Sequence, residues 1–204
     1  RDVEVIGAGI DLKKFKPRNK KIARKGLGLD LNKIYGLYVG RGGYWTKGLD
    51  DVIRLSEEIY KINKNYRLIV IGPDYNKIKH LVSSEFISLL PPQSRDKLPF
   101  YYNASDIFFN LSRYEGGDPT LVTGEAMASG CLIITNIESC QEIISDKKNG
   151  LVIKQDYEKE AERIIDLLNN KRELQKIIKN SLRDIGRFSL ERCGKRYLRE
   201  LNNV

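Results

Sequence analysis

The chain has 204 residues, 41% hydrophobic and 31% charged, enough for one substantial core, and no apolar run approaches the roughly 20 residues that a membrane-spanning helix requires. An excess of 36 Lys and Arg over 27 Asp and Glu leaves a formal charge of +9, which suits a polyanion, an acidic membrane surface or a small anionic ligand such as a nucleotide diphosphate. The basic residues are spread along the chain and not interleaved with stacking aromatics, so a nucleic-acid module is not expected.

In chain order, the sequence begins at Arg1 with no basic-then-apolar signal segment, and the chain is read as an excised piece of a longer one. VEVIGAGIDLKKFKP (residues 3–17) reads as an incoming strand and connector, followed by a charged run. The β-rich runs IYGLYV, YRLIVIG, FISLL and DIFFNLS are separated by stretches with helical spacing, and CLIIT adds a fifth run after a further helix. One helix is expected from about Gly48 to Asn63, with Leu49, Val52, Ile53, Ile59 and Ile62 as its apolar stripe. Another follows DPT, with Pro119 near its first turn, and ends before Gly130. After the short run LVI come EKEAERIIDLLNN, KRELQKIIKNSLRDIG and SLERCGKRYLRELNN, three patterns that predict a C-terminal helical tail over about 155–204. Alternating strands and helices predict a single α/β domain: a Rossmann-like, doubly wound parallel sheet with helices on both faces and ligands at the carboxyl ends of the strands. Cys131, Cys140 and Cys193 have no C-x-x-C spacing and read as reduced, mostly buried thiols. The lone His80, in the polar stretch NKIKH, reads as a solvated helix residue and not as a metal ligand or base.

Two loops carry candidate chemistry. VGRGGYWTKG lies between a predicted strand and a predicted helix, where backbone amides and the helix start attract anions; Gly40 and Gly42 allow close approach, and Arg41 and Lys47 add positive charge. It is neither a P-loop, because Gly48 follows Lys47, nor the G-x-G-x-x-G fingerprint, and a plain glycine turn with two surface cations remains the alternative. SRYEGGDPTLVTGEAMASG places Glu115 and Asp118 in a glycine-bearing loop and Glu125 inside the next helix among small apolar neighbours. A buried carboxylate there needs a partner: either a ligand such as a ribose diol or a group of the core. The amides of Thr120 and Leu121 at the helix start would face phosphates.

These segments together resemble the C-terminal domain of retaining glycosyltransferases of the GT-B fold, group 1, also called glycosyltransferase family 4. GIDLKKFKP is similar to that family's interdomain segment, GRGGYWTKG to its G-R-x-x-x-x-K-G loop, SRYEG with EAMASG to its acidic motif, and EIISDKKNGLVI to its E-I-V-x-D-G-x-N-G-x-L-V ending, in order from about Gly7 to Ile153. The resemblance implies that residues 1–204 are one domain, the donor half of a two-domain enzyme, with about 1–16 as the interdomain connector and the N-terminal acceptor domain absent. It implies retaining transfer of a hexosyl-type sugar in glycan biosynthesis from a UDP- or GDP-sugar, with no obligatory metal or other cofactor, and a fragment inactive alone. Arg41 and Lys47 would neutralise the diphosphate, Glu125 would bind the ribose, and backbone near Leu89 and Leu90 would contact the base. The family separates its two glutamates by seven residues, whereas nine lie between Glu115 and Glu125 here, so either Glu115 or Asp118 takes the first acidic role; Glu115 is favoured. Arg113 and Tyr114 could reach the same cleft, and Asp106 is expected to be structural. The expected partners are a nucleotide-diphosphate sugar, a sugar or lipid-linked acceptor held by the missing domain, and as a further candidate an anionic membrane surface; the expected location is cytoplasmic, with the inner membrane face as a variant. A non-catalytic nucleotide-sugar-binding module and a GT-B nucleotide-sugar epimerase are the alternative functions.

Overall fold

Six short runs of β-branched and aromatic residues pair, all parallel, into one sheet: β1 Ile34–Val39, β2 Tyr66–Ile71, β3 Ile87–Leu90, β4 Ile107–Asn110, β5 Leu132–Thr135 and β6 Leu151–Val152, in the order β3-β2-β1-β4-β5-β6. The computed structural model describes residues 6–40, 44–72, 75–79, 84–115, 119–136 and 143–202. The strands match the expected runs almost residue for residue because they are apolar on both sides, as strands sandwiched between two helical layers must be. Side chains alternate between the layers. Tyr66, Leu68 and Val70 of β2 enter one core with the helix α2 (Leu49–Ile62), while Ile69 and Ile71 enter the other.

The first core also takes Ala161 and Ile164 of α6 (Tyr157–Asn169) and Ile177 of α7 (Lys171–Ile185). The second takes Tyr102 of α4 (Leu98–Ala104), Ala126 and Met127 of α5 (Leu121–Ser129), and Ile185. Each large aliphatic or aromatic side chain fully buried this way contributes about 1.5–3 kcal/mol relative to exposure. The α2 stripe holds at Leu49, Val52 and Ile59, with Leu55 buried beside them, while Ile62 is exposed at the frayed end. Two acidic residues, Asp50 and Asp51, stand in the first turn of α2, and Lys61 in its last, as the helix dipole favours.

Helix α5 differs in kind. Thr120 is its N-cap, its hydroxyl accepting from the Thr123 amide, and Gly130 closes it in the left-handed region at φ 84°. Pro119 therefore precedes the cap and does not lie in the first turn. From Thr123 to Ser129 every residue is buried, so α5 is enclosed beyond its start, where Leu121 is exposed.

The segment expected as an incoming strand makes one isolated bridge, Ile10 with Ser189, in which the Ile10 amide donates to Phe188 and the Leu190 amide to Ile10. This ties the connector to the last helices; α8 (Leu190–Asn202) adds a bond from the Tyr197 hydroxyl to the Ile6 carbonyl. The charged run that follows the connector folds as α1 (Lys20–Gly26), a helix the apolar pattern did not announce. The reason is Arg24, a buried cation. Its guanidinium donates to the carbonyls of Leu31, Lys33 and Ala104 and to Asp106 at 2.7 Å, and Asp106 accepts in turn from the Tyr35 amide at the start of β1. Asp106 is thus structural, as expected. Cys131 and Cys193 are buried free thiols; Cys140 and His80 lie outside the described residues. Replacing Arg24→Leu keeps the packed stem but takes the guanidinium donors from three carbonyls and removes one of the two cations on Asp106, whose other partner is Lys20 at 2.6 Å. It is expected to cost about 3 kcal/mol in urea unfolding.

Candidate functional site

In the strand order the chain runs outward in one direction from β1 to β3 and in the other from β4 to β6, so β1 and β4 flank the switch point. At such a point the loops leaving the two strands diverge and open a crevice at the carboxyl edge of the sheet. A cleft of about 600 Å³ lies there. Gly40 and Lys47 from the β1–α2 loop line it, as do Asn110, Ser112 and Glu115 after β4 and Thr120, Leu121 and Glu125 of the α5 start and first turns.

Six of the sequence-predicted residues, Gly40, Lys47, Glu115, Thr120, Leu121 and Glu125, therefore share one cavity. Arg41, Gly42 and Asp118 lie outside the described residues. Leu89 and Leu90 are not among the residues that line the cleft: their side chains pack against the two cores, and the Leu90 carbonyl accepts from the Gly72 amide. The cleft is instead closed on that side by Pro92, Gln93 and Arg95, just beyond the strand.

Two loops meet closely. Gly48 has φ 65°, and a Cβ there would overlap the Leu111 carbonyl, so only glycine lets the β1–α2 loop reach the chain leaving β4. Lys47 then faces Glu115, ammonium to carboxylate at 3.0 Å, with both groups partly shielded from solvent. Beside them the end of β4 carries a compact polar network. Asn110 donates to the Thr123 hydroxyl at 2.9 Å and accepts from the Ser112 hydroxyl at 3.0 Å, while the Thr120 hydroxyl donates to Thr123 at 2.9 Å. These bonds fix the N-terminus of α5 at the cleft wall, where the first amides of a helix lack intrahelical acceptors.

Glu125 is 5% exposed and has protein partners. The Tyr102 hydroxyl donates to it at 3.1 Å, and Arg95, itself largely in solvent, pairs with it at 3.4 Å. Burial pushes the Glu125 carboxyl above the ordinary carboxylate range; the Tyr102 bond and the nearby charges of Arg95 and Lys14 pull it part of the way back. Tyr102, buried beside a carboxylate, has its phenol raised as well. Neither Arg95 nor Tyr102 was singled out by sequence: no motif marks them, and only the fold brings the β3–α4 region against α5. Arg113 turns away from the cleft toward α2, and Tyr114 is exposed.

The chain is thus a doubly wound α/β domain of the class whose ligand crevice lies at the carboxyl ends of parallel strands, and here that crevice joins a lysine, a fixed helix N-terminus and a buried carboxylate. The family model for glycosyl transferases group 1 matches residues 19–184, and the chain belongs to that family. It is 29% identical over 205 residues to the spore coat protein SA of Bacillus subtilis (strain 168), covering 89% of this chain and 53% of that protein, so the chain spans about half the length of that relative. The crystal structure of the C-terminal domain of a glycosyl transferase group 1 family protein, LpcC, from Francisella tularensis superposes with a TM-score of 0.73 at 23% identity, over 89% of this chain and all of that one. Anabaena HepE, solved in complex with UDP and glucose, gives a TM-score of 0.80 at 18% identity, over 98% of this chain and 57% of that one. These last two likenesses concern the fold, and it is the Rossmann-like α/β fold of the GT-B class expected from the sequence.

The raised Glu125 carboxyl makes a signed prediction. The folded state holds that proton more readily than the unfolded chain, so the cost of the buried charge is absent at acid pH and grows as pH rises through the folded value. The stability of Glu125→Gln relative to the parent should therefore increase between pH 4 and pH 7, measured by chemical denaturation. A difference that shrinks with rising pH would mean the charged form is favoured in the fold.

Proposed function

We propose that this chain is the donor-binding half of a retaining glycosyltransferase and grips a UDP- or GDP-sugar in the switch-point cleft. The observation that carries the reading is the convergence of Lys47, Glu115, the α5 N-terminus and Glu125 on one cavity. A nucleotide sugar has three polar parts, and the cleft offers a group for each. Lys47 and the first amides of α5 meet the diphosphate, with Arg41 as a further cation from the same loop. As the bond to the sugar breaks, charge builds on the leaving diphosphate, and fixed positive groups stabilise that state more than the bound ground state. Glu125 takes the ribose diol: its pairing with Arg95 is long and reaches into solvent, so two hydroxyl donors can replace it while the Tyr102 bond stays.

Glu115 serves the donor sugar, and the ion pair with Lys47 orders both groups before ligand arrives. The base lies toward Pro92 and Gln93, past the end of β3. The sugar or lipid-linked acceptor belongs to a partner domain, and the chain alone binds donor without turnover. That a solved protein of the same fold was crystallised with UDP and glucose supports a nucleotide sugar as the ligand class. The basic surface would favour work at an anionic membrane face on the cytoplasmic side.

Titration calorimetry of the 204-residue chain with UDP, GDP and their nucleosides tests the reading. Binding of at least one diphosphate is expected, and the absence of heat with both at millimolar ligand would sink it. Lys47→Ala is expected to weaken the diphosphate by about tenfold or more, the worth of a charge-assisted hydrogen bond, while leaving the nucleoside unchanged. Equal losses for both would remove Lys47 from the phosphates.

A further inference from the structure

Arg113 is placed by its neighbours to act on the β1–α2 loop. It stands two residues before Glu115, but its guanidinium leaves the cleft and enters the first turn of α2. There it grips Asp50 with both arms, at 2.8 and 2.9 Å, and also pairs with Asp51, which accepts from the Tyr157 hydroxyl at the start of α6. From this anchored position the same side chain donates to the carbonyl of Trp45 and lies over the Trp45 ring, 4.7 Å from its centroid. The Arg113 amide adds a bond to the Thr46 carbonyl at 3.1 Å. Two successive carbonyls of the loop, those just before Lys47, are thus held by one residue from the other side of the switch point. Gly48 follows at once, its φ and its approach to Leu111 fixed.

We infer that Arg113 is a positioning residue: it straps the 44–48 loop to α2 and so aims Lys47 into the cleft. The inference rests on the donor reading of that cleft. Lysine has a long, freely rotating stem, and an ammonium adds most to diphosphate binding when its backbone is already fixed. The strap does that from outside the cavity. It needs a planar fork, because one guanidinium must pair with two carboxylates, donate to a carbonyl and stack on an indole at once; an ammonium cannot do all four. Arg113 touches neither ligand nor reacting atom in this arrangement.

Trp45 is the only tryptophan in the chain, so its fluorescence reports the loop directly. In Arg113→Lys, which keeps the charge between Asp50 and Asp51, the Trp45 emission should shift to the red and its anisotropy should fall. Affinity for the diphosphate that binds, UDP or GDP, should drop about fivefold to tenfold, with affinity for the nucleoside within about twofold of the parent. Asp50→Asn, which removes one anchor without touching Arg113, should move both readouts the same way. The decisive comparison is a double-mutant cycle: in a Lys47→Ala background, Arg113→Lys should cost no further diphosphate affinity. Losses that multiply, equal losses for nucleoside and diphosphate, or an unchanged Trp45 signal would each overturn the strap. A parent chain that binds neither diphosphate would sink the donor reading instead, and the Trp45 signal would then decide the strap alone.

Discussion

The pairing of β1 with β4 is the constraint from which the site follows. Some 70 residues separate them in sequence, yet they lie side by side, and right-handed crossovers send the chain outward from each in opposite directions. Their carboxyl ends therefore cannot be covered by a shared helix. The two loops that leave them must turn apart, and the gap between them is lined by whatever polar groups those loops carry. Gly48 sets how close the gap may become, because the backbone of one loop rests on a carbonyl of the other. A side chain at that position would push the lysine away from the carboxylate it faces.

Among the described residues the charged groups of the cleft are paired with one another. Lys47 is paired with Glu115, and Glu125 is shared by a phenol and a distant guanidinium. A cavity that held the same cations unpaired would bind anions of many kinds, whereas exchangeable pairs ask an incoming molecule to supply both acceptors and donors in the right order. A diphosphate next to a diol fits that description; a free phosphate supplies only half. The buried carboxylate carries a desolvation cost that a ligand with hydroxyl donors would relieve.

Much of this was legible in the sequence. Five of the six strands are short apolar runs bounded by polar turns, while β6, two residues of the run LVI, was not read as a strand; Gly48 announces the start of α2, and Gly130 the end of α5. The cleft residues were legible where glycine, charge and strand end coincide. What escaped has a common cause. Helix α1 is a charged run whose inward face is an arginine, and no hydrophobic periodicity detects a buried cation held by three carbonyls from two other segments. Arg95 and Tyr102 lie 20 to 30 residues from Glu125, and their meeting depends on how α4 packs on α5. The resemblance sets the base near Leu89 and Leu90, whereas the lining of the cleft begins two residues later, at Pro92.

The enclosure of α5 has an evolutionary consequence. Gly124 lies against Ile10 so tightly that no side chain fits, and the neighbouring alanines and serine are packed on every side. Drift within the body of this helix, beyond the exposed Leu121, is costly, so a change of ligand preference would have to come at the rim. Insertions before Thr120, or rewriting of the stretch that follows β3, alter the mouth of the cavity and leave its wall intact. Diversity in this architecture should therefore accumulate as loop length, with the helix behind it nearly frozen.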